Sequence, residues 1–135
     1  MPKTNEIRAK SFLFRNLSQN ILIGTASDRY AGWIGQIYSA GRYEKGITRR
    51  SHTVGDKTFT EETLPLESVA EYFEHFPILE IDYTFYRPLL ESGGNPSPNF
   101  HVLKSYRQQM KKWDLVLLKA PQIVIARKLR RKAFC

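Results

Sequence analysis

The sequence predicts an α/β fold built on a parallel βαβαβ unit. Three observations carry this reading. Three short runs, residues 21–27, 78–88 and 115–121, have strand length and strand composition. Two amphipathic stretches, 66–76 and 102–113, precede the second and third runs at helical spacing. The first and last runs are apolar almost throughout, as in a parallel sheet packed by helices.

Residues 1–20 read as an N-terminal arm, with apolar residues at 11–17 but no clean period. The run Ile21-Leu22-Ile23-Gly24-Thr25-Ala26-Ser27 is the first buried strand, and its small residues let a ligand or a backbone approach closely. Residues 28–43 carry three glycines and the aromatics Tyr30, Trp33, Tyr38 and Tyr43. They read as a loop with short helical turns, and the glycine spacing matches no nucleotide-binding pattern. No other cofactor signature is present, so none is expected. Residues 44–63 are polar and turn-rich and read as a mobile surface insertion, with His52 solvated beside Arg49 and Arg50.

In the first helix Leu66, Val69, Ala70, Tyr72, Phe73 and Phe76 form the apolar face, with Glu67, Glu71 and Glu74 opposite. Pro77 leads into the central strand. There Glu80, Asp82, Thr84 and Tyr86 alternate with Ile81, Tyr83 and Phe85. Two carboxylates on one face of such a strand need solvent or a partner, because burying them unpaired is costly. A loop with Gly93, Gly94, Pro96 and Pro98 follows. The second helix takes Val102, Leu103, Tyr106, Met110 and Trp113 as its core side, and Leu115 to Leu118 opens the third strand.

At 135 residues and 41% hydrophobic, the chain suffices for one modest domain, here 21–121. No apolar run approaches the roughly 20 residues of a membrane span, and the N-terminus has no signal-peptide core. The single cysteine, Cys135, excludes an internal disulfide framework and a cysteine-based metal site. A cytoplasmic protein without a membrane partner is expected. The excess behind the net charge of +8 gathers from Lys104 onward and reaches its densest point in a basic tail, 122–135. Such an end can attract nucleic acid, but no aromatic residues interleave 127–132 to stack on bases.

Four pieces in order, Ile23-Gly24-Thr25-Ala26, Tyr30-Ala31-Gly32-Trp33, Glu80-Ile81-Asp82-Tyr83-Thr84-Phe85-Tyr86-Arg87 and Leu118-Lys119-Ala120-Pro121, resemble the YecE-like family, domain of unknown function 72. The resemblance spans about 21–131. It implies a partial TIM-barrel-like fold lacking the later strands, since full barrels need about 250 residues. The threonine-histidine pair that the family often shows after the lysine strand is replaced here by Ile123-Val124-Ile125-Ala126-Arg127. The family has no established activity. The chain is therefore expected to be truncated, with open sheet edges that favour self-association.

A barrel implies a site at the carboxyl ends of its strands. Glu80, Asp82 and Lys119 are the catalytic candidates: Lys119 shares a face with Leu115 and Leu117 and is expected beside the carboxylates. Asp82 or Glu80 would act as base, and Lys119 would stabilise developing negative charge. Arg87 would clamp a carboxylate or phosphate, with Thr84 and Tyr86 beside it and Tyr30 and Trp33 walling the pocket. A metal is not expected, because no histidine accompanies the carboxylates. The function so implied is binding or acting on a small anionic or phosphorylated substrate. The alternatives are a nucleic-acid-associated protein using the basic end and an inactive fragment.

Overall fold

The computed structural model describes residues 12–125. Five strands follow in chain order: β1 (Gly24–Ala26), β2 (Thr48–Val54), β3 (Lys57–Thr63), β4 (Ile78–Ile81) and β5 (Leu115–Leu118). The helices are α1 (Val69–His75), α2 (Pro98–Gln109) and α3 (Gln122–Ile125). Strands β1, β4 and β5 form an open parallel sheet in the order β1-β4-β5, and β2 and β3 pair as a separate antiparallel hairpin. The parallel α/β class is as expected; these strands do not close a barrel.

Register sorts the sheet into two faces. Thr25, Leu79 and Val116 are aligned, as are Ala26, Glu80 and Leu117. Successive rows point to opposite sides. Leu79 and Ile81 are buried in one cluster with Val69, Tyr72, Phe73 and Phe76 from α1 and its end, and Tyr106 from α2. On the other face Ala26, Leu115 and Leu117 are exposed, and Ile78 and Glu80 are half-buried. Among the described residues, helices cover one face and leave the second open.

Tyr72 joins this core to the sheet backbone. Its hydroxyl accepts from the Thr25 amide at 3.0 Å and donates to the Ile78 carbonyl at 2.9 Å, bridging β1 and β4. The strands lie so close here that a Cβ on Gly24 would sit 2.0 Å from the Ile78 carbonyl oxygen. Gly24→Ala is therefore expected to cost about 1–3 kcal/mol through forced backbone movement. Chemical denaturation checks this, and an unchanged midpoint would show that the strands separate at no cost.

Several elements differ from their sequence reading. The first strand spans Gly24–Ala26 rather than 21–27, because its partner starts at Ile78, just after Pro77, which has no amide to donate. Ile21, Leu22 and Ile23 are exposed as a result. The central strand ends at Ile81 rather than running to 88. Asp82 turns into helical backbone, and a 3-10 turn, Tyr83–Phe85, replaces the extended continuation. The alternation beyond Ile81 therefore does not set a shared face.

Residues 44–63 are ordered, not a loose insertion: a 3-10 turn, Glu44–Gly46, leads into the β2–β3 hairpin. Gly55, at φ 61°, and Asp56 close it. The hairpin is exposed up to the half-buried Thr63, His52 included, with His52 stacked on Phe59 at 5.9 Å. A lone two-stranded hairpin is marginal in water, and here its base is tied to the domain. The Leu64 amide donates to the Arg29 carbonyl at 3.0 Å, and Arg29 Nη1 returns to the Leu64 carbonyl at 3.2 Å.

Two helix faces also need correction. Glu71 is buried rather than solvated, because it accepts from the Ser39 amide (2.9 Å), the Ser39 hydroxyl (2.7 Å) and Arg42 (2.8 Å), fixing that loop to α1. Helix α2 begins at Pro98, a residue suited to the first helical position, and stops at Gln109. Trp113 lies beyond that end and is 57% exposed instead of in the core. Of the arm, residues 12–15 dock on α1: the Phe14 amide donates to the His75 carbonyl at 2.8 Å, and Arg15 Nε to the Phe73 carbonyl at 2.6 Å. Of the basic tail, α3 is described, and 126–135 lie outside the described residues.

Candidate functional site

The carboxyl end of β1 turns sharply. The Ser27 amide donates to the Glu80 carbonyl at 3.0 Å, and the Thr25 hydroxyl donates to the Ser27 carbonyl at 2.6 Å. These bonds hold Ser27 at φ 78°, a left-handed conformation that costs a non-glycine residue about 1–2 kcal/mol. Strain of this kind persists where surrounding contacts over-determine it, and functional sites collect it. The turn directs Asp28 inward.

Asp28 is 3% exposed. The Tyr106 hydroxyl of α2 donates to its carboxylate, 2.9 Å from each oxygen, and the Tyr38 hydroxyl donates to its backbone carbonyl. Among the described residues no ion pair includes Asp28. Burial therefore dominates and pushes its pKa up from 3.8 to about 6, opposed by the Tyr106 hydrogen bond and the charge of Arg29. Burial, and then the Asp28 charge, raise the Tyr106 and Tyr83 phenols, so both stay protonated. The buried Tyr83 hydroxyl has no hydrogen-bond partner among the described residues.

Asp28 lies on the wall of a cleft of about 340 Å³ between the end of β1, the 3-10 turn after β4 and the base of the hairpin. Arg29, Tyr30, Arg50, Glu61 and Tyr83 also line it. Arg50 and Glu61 face each other across the hairpin in register, yet form no ion pair within 4.0 Å. The cleft combines two guanidinium groups, a carboxyl group poised near neutrality and an unpartnered phenol. Comparison of the chain with protein-family models, curated proteins and solved structures finds no match.

Of the residues singled out from sequence, Tyr30 alone lines this cleft. Trp33 lies beside it, its ring 4.8 Å from that of Tyr30. Glu80 sits on the open sheet face, aligned with Leu117. Lys119 is exposed, and its ammonium group lies 5.4 Å from the Phe85 ring centroid rather than against a carboxylate. Neither Glu80, Asp82 nor Lys119 takes part in an ion pair within 4.0 Å among the described residues.

Thr84 is buried, and its hydroxyl bonds to the Lys119 carbonyl at 2.7 Å, tying the 3-10 turn to the end of β5. Tyr86 is 77% exposed, and Arg87 pairs with Glu91 on the surface. Among the described residues no three potential metal ligands cluster, and no helix is long and apolar enough to cross a membrane. Asp28, Arg29, Arg50, Glu61 and Tyr83 escaped sequence reasoning. Asp28 offered one local signal, a carboxylate directly after the small-residue end of a strand.

Proposed function

We propose that the chain binds a small anionic ligand in the cleft beyond the carboxyl end of β1, and that Asp28 exchanges a proton with it. One observation carries this reading: a buried carboxyl group, oriented by Tyr106 and in no ion pair among the described residues, lines a cleft that also holds Arg29 and Arg50. Its pKa of about 6 leaves both protonation states accessible near neutral pH, as general acid–base work requires. Arg29 and Arg50 supply the fixed positive charge for an anionic group. Tyr83 adds a hydroxyl donor that has no partner among the described residues.

The expected resemblance to YecE-like, TIM-barrel-like folds belongs to the same proposal. Supporting it are the parallel β1-β4-β5 order, the open sheet face and a cleft at the strands' carboxyl ends. Glu80 and Lys119 then belong to the inner wall and Asp28 to its mouth.

Sulfate is a suitable probe, because it does not titrate between pH 5 and 8. Arg50→Ala is expected to weaken sulfate binding about tenfold, the loss of one charge-assisted hydrogen bond. Arg50 is exposed, so stability should be unchanged. Calorimetric titration checks both, and equal affinity in the variant would refute the assignment.

A further inference from the structure

A second concavity adjoins the cleft. This groove, of about 710 Å³, has Tyr30 and Trp33 on one side and Thr60, Glu61 and Glu62 of β3 on the other. The two rings meet at 63° with centroids 4.8 Å apart, so they form a corner rather than a flat platform. Both rings are held in place. The Tyr30 hydroxyl donates to the Ala26 carbonyl at 3.1 Å, and Trp33 stacks on the buried Tyr38 at 6.5 Å.

A corner of two aromatic rings in edge-to-face contact, with carboxylates among the lining, suits a compact cation. The negative ring faces attract an alkylammonium group, and the carboxylates neutralise it. Glu62 is paired with Arg49 at 2.6 Å, whereas Glu61 forms no ion pair within 4.0 Å among the described residues. A sugar ring, by contrast, would call for one broad stacking face, which the 63° angle interrupts.

The groove and the Asp28 cleft share Tyr30, Glu61 and Glu62. One ligand can therefore occupy both, with its cationic end in the ring corner and its anionic end toward Arg29 and Arg50. We infer that the ligand of this site is a small zwitterion, an alkylammonium group joined by a short linker to an anionic group. The inference rests on the anion-binding reading of the cleft and adds the cationic half. It also accounts for the mixed charge of the lining, in which a simple anion would leave Glu61 unanswered among the described residues.

The test compares four probes on the full chain by calorimetric titration: sulfate, choline, choline O-sulfate and the neutral-headed isostere 3,3-dimethylbutyl sulfate. Choline O-sulfate is expected to bind at least tenfold more tightly than sulfate or the isostere. Trp33→Ala and Glu61→Gln should each bring it back to the affinity of sulfate alone. Glu61 is exposed on the hairpin, so the Glu61→Gln variant keeps the test decisive if Trp33→Ala fails to fold. Equal affinity for choline O-sulfate and sulfate would overturn the zwitterion while leaving anion binding standing. Equal affinity for choline O-sulfate and the isostere would reduce the corner to an apolar contact and overturn it too. Choline binding without sulfate binding, or binding of no probe, would overturn both readings.

Discussion

Asp28→Asn is expected to stabilise the protein by about 3 kcal/mol at pH 8 and to change little at pH 3. The carboxyl pKa rises from 3.8 to about 6 on folding, and each pKa unit corresponds to about 1.4 kcal/mol. A raised acid pKa means that the folded state holds its proton more tightly than the unfolded state. The associated stability is fully present below pH 3.8 and is lost as the pH climbs through about 6. Asparagine never ionises, and its carbonyl can still accept from the Tyr106 hydroxyl. The wild-type protein should therefore weaken between pH 4 and 7 along a slope that the variant lacks. Denaturant midpoints across that range measure it, and parallel curves for the two proteins would refute an ionising buried Asp28. If the proposed proton exchange is right, the same variant keeps sulfate binding and loses any reaction.

Arg15→Ala is expected to destabilise by about 3–5 kcal/mol, the usual consequence of breaking a buried ion pair from one side. Arg15 bridges the Phe73 carbonyl at the end of α1 and the carboxylate of Asp114, just before β5. The Asp114 side chain is 1% exposed. Without Arg15 it would retain only the Lys111 amide, at 2.7 Å, among its described partners. Replacing both partners with apolar residues, Arg15→Met with Asp114→Leu, should recover much of the loss, because no buried charge is then stranded. A single variant as stable as the wild type would show that residues 12–15 do not hold the sheet and helix together.

These two residues also show why part of the molecule was legible and part was not. The apolar period of residues 66–76 and the β-rich runs at 78 and 115 are local signals, and they located α1 and the starts of β4 and β5. Strand ends were misjudged because pairing decides them. The pattern Glu80-x-Asp82-x-Thr84 alternates perfectly, yet β4 stops when the Thr84 hydroxyl takes the Lys119 carbonyl. Glu71 looked solvated from its spacing and is buried, because Ser39 and Arg42 from a distant loop surround it.

The candidate site divides in the same way. Composition and periodicity by themselves determined the parallel α/β class, the helical cover on the central strand and the aromatic loop that supplies Tyr30 and Trp33. Tertiary structure alone decided which carboxylate is buried. Asp28 becomes a candidate acid–base group only because Tyr106, 78 residues further along the chain, and the turn at Ser27 bring it out of water. Likewise Arg50 and Glu61 reach the cleft only because a polar segment pairs into a hairpin anchored at Leu64. Desolvation and charge proximity are properties of distances between remote segments, and a linear pattern of residue types does not encode those distances.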